Sequence, residues 1–377
     1  MRTKLFLLFC LFVSAGTAAA QGPRMVRVLI EPEARAVRMK IDGPFEVWDQ
    51  QHNSLIYRGS GLNATVTAYR AGILLGAIRC AADAVSVRVE GEGAIDLDDR
   101  LFRNAVTLTK REAQDRLMVI NLVALEDYVK GILYHEVSHY WPMEALKAQA
   151  IVCRTYARYQ VQQNVRKEYD LTDDTYSQVY GGLTSERFRT SKAVDETRDL
   201  ALTYEDKVLP AYFHAVCGGH TEDAALEWGV GLPPLKGVPC GYCKDSPRYN
   251  WHEVLSLDEV GQKLRQAGLV SGKHIKDITV KSRDPSGRIS KLAVVNSQKE
   301  LVVNGKDFRA ALGPEVIMST NFIVQIAGND AVFEGVGWGH GVGMCQWGAY
   351  FMARQGKSCE EILAYYYPGA VITTIKE

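Results

Sequence analysis

The chain lacks a charge imbalance: 44 basic residues face 44 acidic ones across 377 positions. A nucleic-acid-binding protein usually shows a basic excess, so this balance argues against that class of partner. Long apolar runs are also missing after the first twenty residues, so no later segment reads as a transmembrane helix. No repeat, low-complexity tract or Gly-Lys-Ser/Thr phosphate loop is present. An even set of cysteines is lacking too. Beyond the first twenty residues there are seven, Cys80, Cys153, Cys217, Cys240, Cys243, Cys345 and Cys359, and an odd number cannot all pair within one chain.

What is present begins with an export signal. Arg2 and Lys4 precede the apolar stretch Leu5 to Val13, and Ala18-Ala19-Ala20 offers a cleavage site before Gln21. That layout is a secretory signal peptide over residues 1–20, with an uncleaved anchor as the alternative. The expected product is soluble and exported, periplasmic or extracellular and cell-wall associated. Residues 21–110 alternate in short runs such as Val26 to Ile30 and Ala36 to Ile41, broken by Gly, Asn and Asp, which predicts a β-rich N-terminal region. Helical periodicity starts at Leu125, where Leu125, Val129, Ile132 and Leu133 share a face. Pro142 then opens a second helix with the stripe Met143, Leu146, Ala150, Cys153 and Ala157. Residues 252–325 read as an inserted α/β lobe. The C-terminus returns to helices, the last capped by Ser358 with Glu361 three residues on. The class is α+β: a β-rich N-terminal region followed over 111–377 by a helical core with a mixed sheet.

Three segments carry candidate chemistry. His135-Glu136-Val-Ser-His139 matches the zinc-protease pattern, which needs one regular helix through both histidines. Pro142 clashes with the Ser138 carbonyl if that helix continues, and no third histidine follows at metzincin spacing. Taken alone, Glu136 is either an acid in an apolar setting of Tyr134, Tyr140 and Trp141 or an ordinary surface glutamate. Cys217-Gly-Gly-His220 and Cys240-Gly-Tyr-Cys243, nineteen residues apart, offer four soft ligands for a closed, structural zinc site. His214 is a possible substitute ligand, and a Cys240–Cys243 disulfide is the competing assignment. Finally, Gly335 to Gly348 has glycine at nearly every second position, suiting close backbone approach. Trp338, His340, Gln346 and Trp347 within it are candidates to line a groove, against a tightly packed turn into a helix.

Together these segments resemble the SpoIID/LytB family of peptidoglycan proteins. The resemblance rests on Trp141-Pro142-x-Glu144-Ala-Leu-Lys-Ala-Gln-Ala150, Arg154-Thr-Tyr-Ala157, Ser177-Gln178-Val-Tyr180-Gly181 and Cys217-Gly-Gly-His220-Thr221. Gly337-Trp-Gly-His340-Gly-Val-Gly-Met344 and Gln346-Trp-Gly-Ala349 complete it. It implies a SpoIID-like catalytic core with lytic transglycosylase activity on glycan strands stripped of peptides by an N-acetylmuramoyl-L-alanine amidase. It also implies Glu136 as catalytic acid, Arg154 as its helper, and Gln178 and Tyr180 among the substrate contacts. Cys345 and Trp347 stand where many relatives have Ser and Tyr. The LytB side of the family is described as amidase enhancers, which keeps a non-enzymatic, wall-binding role in view.

Overall fold

Alternating burial builds the first half of the molecule. Along the strand Ala36–Asp49, Val37, Met39, Ile41, Phe45 and Val47 point into the core while most of their neighbours do not. This computed structural model describes residues 24–111, 115–174, 177–272 and 274–375; the predicted signal peptide lies outside them. Among the described residues, eleven strands form one sheet. Met25–Ala34 pairs antiparallel with Arg116–Ala124, which pairs antiparallel with Ala105–Arg111. Leu171–Thr172 joins in parallel on the outer side of Met25–Ala34. A division at residue 110 therefore falls inside this sheet, within the strand Ala105–Arg111.

Eight α-helices lie among the described residues: α1 (Leu125–Glu136), α2 (Met143–Gln163), α3 (Phe188–Glu196), α4 (Ala224–Trp228), α5 (Leu257–Gln266), α6 (Gly305–Leu312), α7 (Gln346–Arg354) and α8 (Cys359–Tyr366). The fold is α+β. Helix α2 is buried on two sides. Its Leu146, Ala150, Cys153 and Ala157 pack with α1 and the large sheet. Its Ala148, Ile151 and Val152 pack into a second core with α7 and α8. One amphipathic stripe could not show this, because the second face is filled by small and β-branched residues.

The lobe has a third core of its own. It is closed by Asn250–Ser256 pairing antiparallel with Asp330–Val336, so it begins at Asn250 and runs past 325 to Val336. Within it, Ile275–Arg283 and Ile289–Asn296 form a hairpin. The lobe is fastened to the core by Arg288, which donates to the carbonyls of Cys217 (2.6 Å) and His220 (2.9 Å).

Candidate functional site

Helix α1 delivers Glu136 as its last residue. The helix stops there because Val137 is extended (φ −144°, ψ 151°), with its N–H still donating to the Leu133 carbonyl. Pro142 then caps α2, and Arg189 clamps the connection by donating to the carbonyls of His139 (2.8 Å) and Trp141 (2.9 Å). His135 and His139 therefore do not share a helix. His135 shares a hydrogen bond with Ser185 Oγ (2.6 Å), whereas the His139 ring lies against Tyr140. The zinc-protease geometry is absent from this segment.

The half-buried Glu136 carboxyl meets a residue far along the chain. Gln346, first in α7, directs its side-chain N–H₂ at both the Glu136 carbonyl (3.3 Å) and Oε2 (3.4 Å). Burial pushes the Glu136 carboxyl up to about 7, and the Gln346 hydrogen bond only partly opposes this. Trp347, which follows Gln346 in the chain, lies 5.1 Å from Trp141, and Tyr350 lies 5.1 Å from Trp141 and 5.2 Å from Trp347. A carboxyl that is half-protonated near neutrality, next to aromatic faces, suits proton donation to a sugar-like leaving group.

Other residues singled out from the sequence sit elsewhere. Arg154 is fully buried and grips Glu126 through two 2.7 Å bonds. It also donates to the carbonyls of Val194 (3.2 Å) and Leu200 (3.1 Å). Glu126 opens α1 and Glu136 closes it, about 15 Å apart at 1.5 Å per residue. Arg154 is thus a strut joining α1, α2 and α3 and does not orient Glu136. Gln178 and Tyr180, expected at the substrate, are 1% and 2% exposed. The Tyr128 hydroxyl donates to Gln178 Oε1 (3.0 Å) and the Tyr180 hydroxyl to Asn121 Oδ1 (2.8 Å). Both residues back α1 from inside: a Cβ on Gly131 would come within 2.5 Å of the Tyr180 ring.

The glycine-rich segment is a close-packed turn. Gly337, Gly339, Gly341 and Gly343 all have φ between 72° and 107°. A Cβ on Gly343 would sit 1.9 Å from the Tyr212 carbonyl. Trp338 exchanges backbone hydrogen bonds with Val216, and Arg248 lies 4.3 Å above its ring. His340 accepts from the Val342 N–H (3.1 Å) and packs 4.8 Å from Trp228. Burial pushes it down to about 3, so it is neutral. Of the four groove candidates, Gln346 and Trp347 meet Glu136 or its aromatic flank; no contact joins Trp338 or His340 to Glu136 among the described residues.

A second cluster lies directly behind Gln346. The sulfurs of Cys217, Cys240, Cys243 and Cys345 all lie within 4.8 Å of one another, and all four residues are buried. A tetrahedral thiolate site with bonds near 2.3 Å has sulfur–sulfur edges of about 3.8 Å, so the group suits a metal of that kind. Hydrogen bonds from Cys217 hold Cys240 and Cys243 below the usual thiol range. His220, expected as the fourth ligand, is outside the group: its Nδ1–H donates to the Thr221 carbonyl (2.6 Å). Cys345 takes its place because the strand Met344–Cys345 runs parallel to Phe213–His214, just before Cys217. The seven cysteines among the described residues are unpaired, including Cys240 and Cys243. Cys345 follows Cys243 by 102 positions, so no spacing rule flagged it; its only mark was being a cysteine in a glycine turn.

A family model described as stage II sporulation protein (SpoIID) matches residues 113–204. One described as a domain of unknown function matches residues 241–343, over the lobe and the glycine turn. An uncharacterized protein of Brachyspira hyodysenteriae is 34% identical over 355 residues, covering 92% of each chain. Stage II sporulation protein D of Bacillus amyloliquefaciens is 34% identical over 266 residues, 67% of this chain and 74% of that one. The amidase enhancer of Bacillus subtilis is 27% identical over 299 residues, 65% of this chain and 40% of that one. With motifs, coverage and identity in agreement, this chain belongs to the SpoIID/LytB family.

Proposed function

We propose that the chain is an exported peptidoglycan lytic transglycosylase that cuts peptide-stripped glycan strands, with Glu136 as general acid and then base. Family membership supports a cell-wall-related role. The observation that carries the finer reading is the Glu136 carboxyl itself: half-buried, raised to about 7 and held by Gln346, whose chain neighbour Trp347 packs with Trp141 and Tyr350. Protonated Glu136 gives its proton to the glycosidic oxygen as the bond to the muramic acid anomeric carbon breaks. The resulting carboxylate takes the proton of the same sugar's C6 hydroxyl as that oxygen closes on the anomeric carbon. One carboxyl suffices because the nucleophile is part of the substrate. Indole faces beside the acid suit stacking against sugar rings.

Asp173 and Asp174 are otherwise engaged. Arg100 donates to Asp173 (2.8 Å) and the Thr172 hydroxyl to Asp174 (2.8 Å). A hydrolase would usually need such a carboxylate to position water. Cys217, Cys240, Cys243 and Cys345 would hold a structural zinc, whose four protein ligands leave no position for water. An amidase that strips peptides is the natural partner, because it produces the strands this site would cut.

The amidase enhancer among the relatives supports a second reading, a wall-binding protein without its own chemistry. Arg154, bound to Glu126 inside the core, does not bear on the choice between the two readings. Digestion of peptide-free strands in ¹⁸O-water decides between them. The proposal expects 1,6-anhydro ends without label; labelled reducing ends would make the protein a hydrolase, and uncut strands a binding protein.

A further inference from the structure

Three consecutive residues join the sulfur cluster to the acid. Cys345 contributes one of the four sulfurs, Gln346 holds Glu136, and Trp347 belongs to the aromatic flank. The Cys345 sulfur also accepts the N–H groups of Gly348 (3.3 Å) and Cys217 (3.3 Å). It is therefore the N-cap of α7 as well as a member of the cluster. The Trp347 N–H donates to the Ala215 carbonyl (3.1 Å), two residues before Cys217. On the far side, Cys240 lies beside the Tyr366 hydroxyl of α8 (3.2 Å), and a Cβ on Gly348 would meet both. The first turn of α7 thus has little room to move while the four sulfurs stay together.

We propose that the four-cysteine site binds a thiophilic metal and acts as a positioning device for the catalytic acid, seating Gln346 against Glu136 through Cys345. This rests on the reading of Glu136 as the acid. Without the metal, four buried thiols with a shared need for protons lose their common anchor. The α7 cap then depends on one neutral sulfur. Gln346 is the residue that feels this first, because it follows Cys345 directly and its bonds to Glu136 are long.

Coupling of this kind is reciprocal: if metal binding favours the Gln346–Glu136 contact, the contact favours metal binding by the same factor. The test measures zinc affinity by chelator competition on the folded, reduced protein, with no strand cutting involved. Gln346→Ala, at a position that is no ligand, is expected to weaken zinc affinity about fivefold, in line with the net worth of one ordinary hydrogen bond. Lys357→Ala, on the surface, serves as the control and leaves it unchanged. In parallel, the pH–rate profile on peptide-free strands is recorded for zinc-loaded and zinc-depleted protein. Depletion and Gln346→Ala are both expected to move the Glu136 midpoint upward, because each removes the bond that lowers it, and depleting the variant should move it no further.

Unchanged zinc affinity in Gln346→Ala would overturn the proposal, as would additive shifts from depletion and mutation. If the variant weakens zinc while no form of the protein cuts strands, the coupling stands and the catalytic reading falls.

Discussion

Replacing Glu136 with glutamine should disable the protein and stabilise it at once, with a pH signature. In the folded state the carboxyl is raised from 4.5 to about 7 by burial. Between those values the folded chain keeps a proton that the unfolded chain has released, so stability falls as pH rises through that window. At about 1.4 kcal/mol per pH unit the full shift amounts to about 3 kcal/mol, and about 2–3 kcal/mol after allowing for partial contact with water. Glutamine cannot ionise and can still accept from Gln346. Glu136→Gln should therefore match wild type in melting temperature at pH 4 and exceed it by a few degrees at pH 8. Strand cutting should fall by at least 10²-fold at every pH, as expected when a general acid is lost. Sedimentation of the variant with peptide-free strands should still show binding. Calorimetry at the two pH values, beside product analysis, checks all three outcomes. A melting difference independent of pH would refute the burial argument, and wild-type cutting would refute the catalytic one.

Cys345→Ser should lose the metal, whereas His220→Ala should keep it; elemental analysis of the purified variants decides which residue is the fourth ligand. The double variant His135→Ala with His139→Ala should leave metal content unchanged, and metal loss there would return the zinc-protease reading to contention. Arg154→Ala strands Glu126 at the start of α1 and should cost about 3–5 kcal/mol, seen as a lower melting temperature and less soluble protein. The folded fraction that survives should keep its turnover number, which a directly catalytic arginine would not allow. Asp173→Asn and Asp174→Asn should each retain most strand-cutting activity, and loss of cutting in either would point to a water-activating carboxylate.

Sequence alone settled what depends on neighbours a few residues apart. The α1 stripe, the stop before Pro142, the α2 start and the Ser358–Glu361 capping box were all legible, because helix period, proline and caps act over about one turn. So were the family motifs that surround Glu136. The identity of the residues packed against Glu136 was not. Gln346 lies 210 positions from Glu136, and only the packing of α7 beside the end of α1 brings them together. Arg154 looked like a helper in sequence because it is a charged residue in a family motif; its carboxylate proved to be Glu126, 28 positions back. The family resemblance put Tyr180 and Gln178 among the substrate contacts, yet Gly131 opens the space that takes Tyr180 into the core. The sulfur cluster divides the same way. Cys217, Cys240 and Cys243 were read from local pairs, while Cys345 is brought in by a parallel strand pair. A folded chain chooses among distant side chains by where its backbone turns, and spacing along the sequence carries no record of that choice.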